Sequence, residues 1–295
     1  MTKFRTIANK TWVFAAATAL IIGSSSAMAY ALSPDVPTNA LNNAAPITAP
    51  VTQTNQGQAS NAGVLPNYTV IDLSKSVNDR KALIEQKLSM IESITPEQIE
   101  EKCKAILANM IPGEKDISAQ QAAAEAESIL KKAYGVDFQG YTAEASFSRS
   151  SVPNSDNWTV IFRSPEEMQN KDRKDVKSYL AGVDSVNGTI LNLSSYDRNF
   201  TENNNNDKNL GDPEWKNKAE EAIAKLMAEN VSITGSKVVS ATPAGGVSVV
   251  CELSDGSACA VRLTGEDKDM AAYVYFPNGY DGSFDYNPPT TDGVG

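Results

Sequence analysis

The chain of 295 residues contains no histidine. That removes the side chain most used to move protons near neutral pH and to bind zinc, copper or haem. Ser-His-Asp and Cys-His nucleophilic catalysis are excluded, and carboxylates are the acid-base groups that remain. Hydrolysis by two carboxylates needs an Asp/Glu pair held several ångströms apart in a cleft. Glu125 and Glu127 stand two apart on a helical pattern and do not share a face, Glu220-Glu221 reads as a solvated edge, and Glu166-Glu167 falls in a polar loop read as surface. Ser128-Ile-Leu-Lys131 has the letters of an S-x-x-K peptidase motif, but an Ala-rich amphipathic helix accounts for them. No catalytic residue is assigned and no cofactor is expected.

Two further groups could bind or bond. Asp281, Asp285 and Asn287, with Asp292 beyond, place oxygen side chains at alternating positions like the start of a calcium loop. Tyr286 stands where an EF-hand needs Gly and no Glu closes the loop, so an irregular acidic tail is the preferred reading. Cys103, Cys251 and Cys259 are the only cysteines, too few for a disulfide scaffold. Cys251 and Cys259 flank Ser254-Asp255-Gly256 in a hairpin pattern. A two-residue Asp-Gly loop would put the sulfurs on opposite faces, whereas a three-residue loop with Gly256 left-handed would set them opposite each other. A disulfide is a candidate, with two buried thiols the preferred alternative. Cys103 reads as a core position on a helix.

The elements that must carry these residues follow a leader-like segment. Lys3, Arg5 and Lys10 precede an apolar run from Trp12 to Gly23 and the small-residue stretch ending Ala27-Met28-Ala29, the layout of a secretory signal peptide cleaved before Tyr30. The alternative is an uncleaved anchor over residues 11–34, which carry no charge. Either way the remainder is expected outside the cytoplasm, secreted or tethered to the outer face of the cytoplasmic membrane. Loss of the three basic residues before Tyr30 takes the formal charge from −10 to −13. Such a surface argues against nucleic acid and anionic lipid as partners and mostly serves solubility.

Residues 30–67 are rich in Pro, Ala, Asn, Thr and Gln and read as a disordered linker. Residues 68–116 read as a helical segment after a short strand near Val70–Leu73. One helix follows Ser76 or Asn78, with Leu83, Ile84, Leu88 and Ile91 on its apolar face; a second opens at Thr95-Pro96-Glu97-Gln98. Ser118 caps a third helix that Gly135 ends. Alternating strands are predicted at 141–148, 158–164, 178–184 and 189–194, the last two meeting at Asn187-Gly188. A polar connection at 201–212 divides the chain. A helix from Pro213 to about Asn230 and strands at 236–241, 247–253, 258–264 and 271–276 follow, and 278–295 reads as an irregular acidic tail. The expected fold is α+β: two separate helix-on-antiparallel-sheet units, 117–200 and 213–277, preceded by the short helical segment.

In the first unit, Ile117 to Leu130 precedes Trp158-Thr-Val-Ile-Phe162 and then Tyr179-Leu-Ala-Gly-Val-Asp184-Ser-Val-Asn187-Gly188-Thr-Ile-Leu191. This resembles the PepSY superfamily, and more closely the YcdB/YcdC-type repeat of bacterial envelope proteins, over about a quarter of the chain. The second unit lacks the spaced D-x-x-x-G and matches by element order alone. Trp158, Asp184, Asn187 and Gly188 carry the likeness as fold-making residues. The resemblance implies a non-catalytic extracytoplasmic module with a protein partner in the envelope, one that binds or restrains a peptidase. The alternative from another class is a histidine-free secreted hydrolase using paired carboxylates.

Overall fold

A computed structural model describes residues 67–91, 93–150, 155–169, 177–197, 210–243 and 245–285. The leader or anchor, most of the linker, the Asn203–Asn206 run, Asn287 and Asp292 lie outside the described residues. No helix among those described is long and apolar enough to cross a membrane.

Residues 79–108 form one compact unit, a pair of helices, α1 (Lys81–Leu88) and α2 (Pro96–Ala108). Thr95 caps α2 reciprocally: its hydroxyl accepts from the Gln98 N–H at 3.3 Å while the Gln98 side chain accepts from the Thr95 N–H at 3.0 Å. Ile84, Leu88, Cys103 and Ile106 are buried. Leu83 and Ile91, expected on the same apolar face, are exposed: within α1 Leu83 points about 100° away from the buried Ile84, and Ile91 follows the end of the regular helix at Leu88.

The second unit holds Asn67–Asn78 and everything described from Asn109 onward. Its strands are β1 (Thr69–Asp72), β2 (Thr142–Ser148), β3 (Asn157–Arg163), β4 (Lys177–Asp184), β5 (Ile190–Asp197), β6 (Ile233–Thr242), β7 (Gly246–Leu253), β8 (Ala258–Thr264) and β9 (Asp269–Phe276). Its helices are α3 (Ala119–Tyr134), the short α4 (Pro165–Gln169) and α5 (Glu214–Ala224). The strands make one sheet in the order β1-β2-β3-β4-β5-β9-β8-β7-β6.

This overturns the expectation of two separate helix-on-sheet units behind a helical segment. Asn192 to Ser194 of β5 pair with Val274 to Ala272 of β9, so the two four-strand runs are one surface. Each run would otherwise end in an unpaired edge, and the pairing satisfies both. The segment ahead of the first run is not wholly helical either: β1 adds to β2 in parallel, making the sheet mixed. Of the two edges left, β1 has four residues and β6 is broken by two register shifts, at Ile233/Gly235 and Val238/Ser240, which blunt an edge against further pairing.

Both helices lie over one face and share one core. Ala122, Ala123, Ala126 and Leu130 of α3 and Trp215, Ala219 and Ile223 of α5 belong to the same buried cluster as Trp158, Val160, Phe162, Val249, Val261 and Leu263. Alanines along α3 let its backbone approach the sheet closely. Ser118 and Gln121 cap the helix reciprocally, and Gly135 ends it at φ 67°. At Gly246 (φ 77°) an added Cβ would run into the Leu263 carbonyl, so the start of β7 admits only glycine.

Candidate functional site

The β7–β8 hairpin is set by its turn. The Asp255 carboxylate accepts from the Ser257 N–H at 3.0 Å and from its hydroxyl at 2.6 Å, Gly256 takes φ 86°, and the Leu253 N–H reaches the Ser257 carbonyl at 2.9 Å. These bonds hold Asp255 below the usual carboxylate range, as an anion. The register places Cys251 directly opposite Cys259 on the helix-side face, both as free buried thiols. Cys259 Sγ lies 3.2 Å from the Tyr273 hydroxyl. Burial pushes the Cys251 thiol up to about 12 and the Cys259 thiol up to about 11, so neither is primed as a nucleophile.

This hairpin forms one wall of a pocket of about 280 Å³ over the junction of β5 and β9. Ile129 of α3 and Ile190 of β5 come from the first run of elements; Met227, Leu253 and Tyr275 come from the second. Thr189, Asp255, Ser257, Cys259, Tyr273 and Tyr275 are the lining residues that carry polar side-chain atoms. The composition suits an apolar group with a polar rim.

The carboxylates that the sequence reading weighed as acid-base pairs are dispersed. Glu125 is exposed on α3, Glu220 accepts from the Ser236 hydroxyl at 2.6 Å, and Glu221 is an exposed partner of Lys218. Ser128 and Lys131 both face outward on α3. Glu167 corrects the surface reading of its loop: it is 1% exposed. Short α4 turns it inward, where Arg163 Nη1 donates to it at 2.6 Å and the Ser178 hydroxyl at 2.7 Å; Arg163 Nε bonds Glu144 at 2.8 Å. Asp116 is likewise occupied, accepting from the Ser185 hydroxyl and the Gly113 N–H, each at 2.6 Å. Among the described carboxylates with a resolved shift, Glu97, Asp212, Asp255 and Asp281 all move downward, each through hydrogen bonds to its anion.

Asp184 accepts from the N–H groups of Val186 and Asn187, both at 2.9 Å, Asn187 accepts from the Thr189 N–H, and Gly188 sits at φ 77°. The buried Trp158 indole donates to the Ile117 carbonyl at 2.9 Å, fastening β3 to the residue before the cap of α3. Asp281 accepts from the Ser283 N–H, and Asp285 accepts from the Tyr280 hydroxyl and lies 3.8 Å from Lys237. No group of three or more His, Cys, Asp or Glu placed to hold a metal occurs among the described residues.

Sequence reasoning missed the pocket, Glu167 and Lys268. Lys268, at φ 55°, bonds Glu214 at 2.9 Å and lies over the Trp215 ring. For the pocket no local signal existed, since its walls come from both runs of elements. No protein-family model, curated protein or solved structure matches the chain.

Proposed function

We propose that the protein is a non-catalytic binding module that receives an apolar side chain of a polypeptide partner in the pocket over the β5–β9 junction. The observation that carries this reading is the pocket itself: both runs of elements line it, its walls are mainly apolar, and its single carboxylate is tied down as the turn anchor Asp255. A hydrolytic carboxylate needs the opposite, a raised acid facing a second one. The leader-like N terminus and the likeness of residues 117–195 to envelope repeat modules make an envelope peptidase the partner class to test first.

The test compares the protein with Met227→Lys, which puts a charge on the pocket wall. Immobilised wild type is expected to capture a peptidase from envelope extract and change its rate of cleavage. The variant, folded by circular dichroism, is expected to lose at least tenfold in that affinity. Capture that the substitution leaves unchanged would refute the pocket as the contact.

A further inference from the structure

On the face of the sheet opposite α3 and α5, directly opposed residues run in one row from strand to strand: Ile161, Leu180, Ser194, Ala272, Arg262 and Ser248. Residues paired across adjacent strands share a face. Val261 and Leu263 belong to the helix-side core, so Arg262 between them points the other way.

Arg262 differs from the other partly buried cations. Arg149 holds Asp156, Arg163 holds Glu144 and Glu167, and Lys268 holds Asp212 and Glu214. The Arg262 Nε is buried without a hydrogen-bond partner, and among the described residues no carboxylate bears on the guanidinium. The titratable group that does bear on it is the Tyr134 phenol. A chain of net charge −10 has acids to spare, yet this cation has none. Leaving a desolvated charge unpaired is costly, and a fixed guanidinium fork fits a planar carboxylate through two parallel bonds.

The neighbours complete a site. Ala272 and Ser248, the residues paired with Arg262 on the two neighbouring strands, are small. The hydroxyls of Ser194 and Ser248 make no hydrogen bond among the described residues. Three strand spacings away, about 14 Å, Leu180 and then Ile161 offer an apolar surface. That separation matches about four extended residues at roughly 3.3 Å each. The polar and small positions between, Ser194 and Ala272, suit amide groups better than a methylene chain.

We propose that this row is a second binding site, taking the C-terminal carboxylate of a peptide at Arg262, Ser194 and Ser248 and an apolar side chain of that peptide on Leu180 and Ile161. It lies on the opposite face from the β5–β9 pocket and does not depend on it.

The probe is acetyl-Leu-Ala-Ala-Ala-Ala with a free carboxylate, titrated into the full chain by calorimetry beside its C-terminal amide and dodecanoate. Saturable binding of the acid is expected, with the amide and Arg262→Gln each at least tenfold weaker. Ser248→Asp, which supplies the guanidinium with an internal carboxylate, gives the same loss without removing the cation. Met227→Lys leaves this affinity unchanged, which separates the site from the pocket. Equal binding of acid and amide, unchanged affinity in both Arg262→Gln and Ser248→Asp, binding of dodecanoate alone, or no saturable binding would each overturn the proposal.

Discussion

The two runs of elements share a sheet and an order, one helix and then four strands, but they stabilise themselves differently. In the first, α3 with β2–β5, buried charge is compensated: Arg163 with Glu144 and Glu167, and Arg149 with Asp156 while Asp116 takes Ser185 and Gly113. Its helix has a reciprocal cap and a left-handed glycine stop. In the second, α5 with β6–β9, the helix entry rests on Asp212 accepting from the Glu214 N–H at 2.9 Å, the strands carry two buried thiols, and Arg262 stands uncompensated. The difference teaches where function is expected. A region whose polar groups satisfy one another has little left for a partner, whereas unspent polar capacity beside apolar surface is what recognition uses.

That contrast breaks or sharpens first at Trp158, which is fully buried and whose indole donates to the Ile117 carbonyl. Trp158→Ala is expected to cost about 3–5 kcal/mol for the cavity and about 1–3 kcal/mol more for the stranded carbonyl. Urea unfolding followed by far-ultraviolet circular dichroism checks this, and a loss below about 3 kcal/mol would show that the indole does not anchor the first run.

The buried charges come next. Glu167→Ala leaves Ser178 without its partner and Arg163 with Glu144 alone, and should cost about 1–3 kcal/mol by the same measurement. Arg262→Met, by contrast, should leave stability unchanged or raise it, since it removes a desolvated charge that has no counter-ion. A large loss on Arg262→Met would show that the second run compensates its charge after all.

The smallest effects are expected at the helix starts. Ser118→Ala should cost about 1 kcal/mol at any pH, because a hydroxyl cap does not titrate. Asp212→Asn should matter only while the carboxylate is ionised. The Glu214 N–H and Lys268 lower the folded-state pKa of Asp212, so its contribution is complete above the unfolded value of about 3.9 and is lost as pH falls through the lower folded value. The gap in urea midpoint between wild type and Asp212→Asn is therefore expected at pH 7 and shrinks as the pH is taken into the acid range, while the Ser118→Ala gap persists.

Local chemistry made much of the fold legible. Thr95 with Gln98 and Ser118 with Gln121 announce helix starts, Asp184 with Asn187-Gly188 and Asp255-Gly256 announce turns, and alternation located eight of the nine strands to within three residues. Each of these signals is made by residues close in sequence, so backbone geometry and a few side-chain bonds decide it. The boundary of α1 and the place of Glu167 were not legible. The 3-10 turns over Leu73–Arg80 delay the start of α1 to Lys81, and five residues of α4 are too few to show a period.

By itself the sequence determined the absence of histidine chemistry, the acidic balance, the element order and the turn residues, because composition and short-range spacing fix these. Only the tertiary structure decided that two four-strand runs become one sheet through β5 and β9, that Cys251 faces Cys259, that a pocket opens where the runs meet, and that Arg262 shares a face with Ser194, Leu180 and Ile161. The physical reason is strand pairing. Which edge closes on which, and in what register, depends on partners up to about eighty residues apart, and a shift of one residue would send every side chain of the strand to the other face.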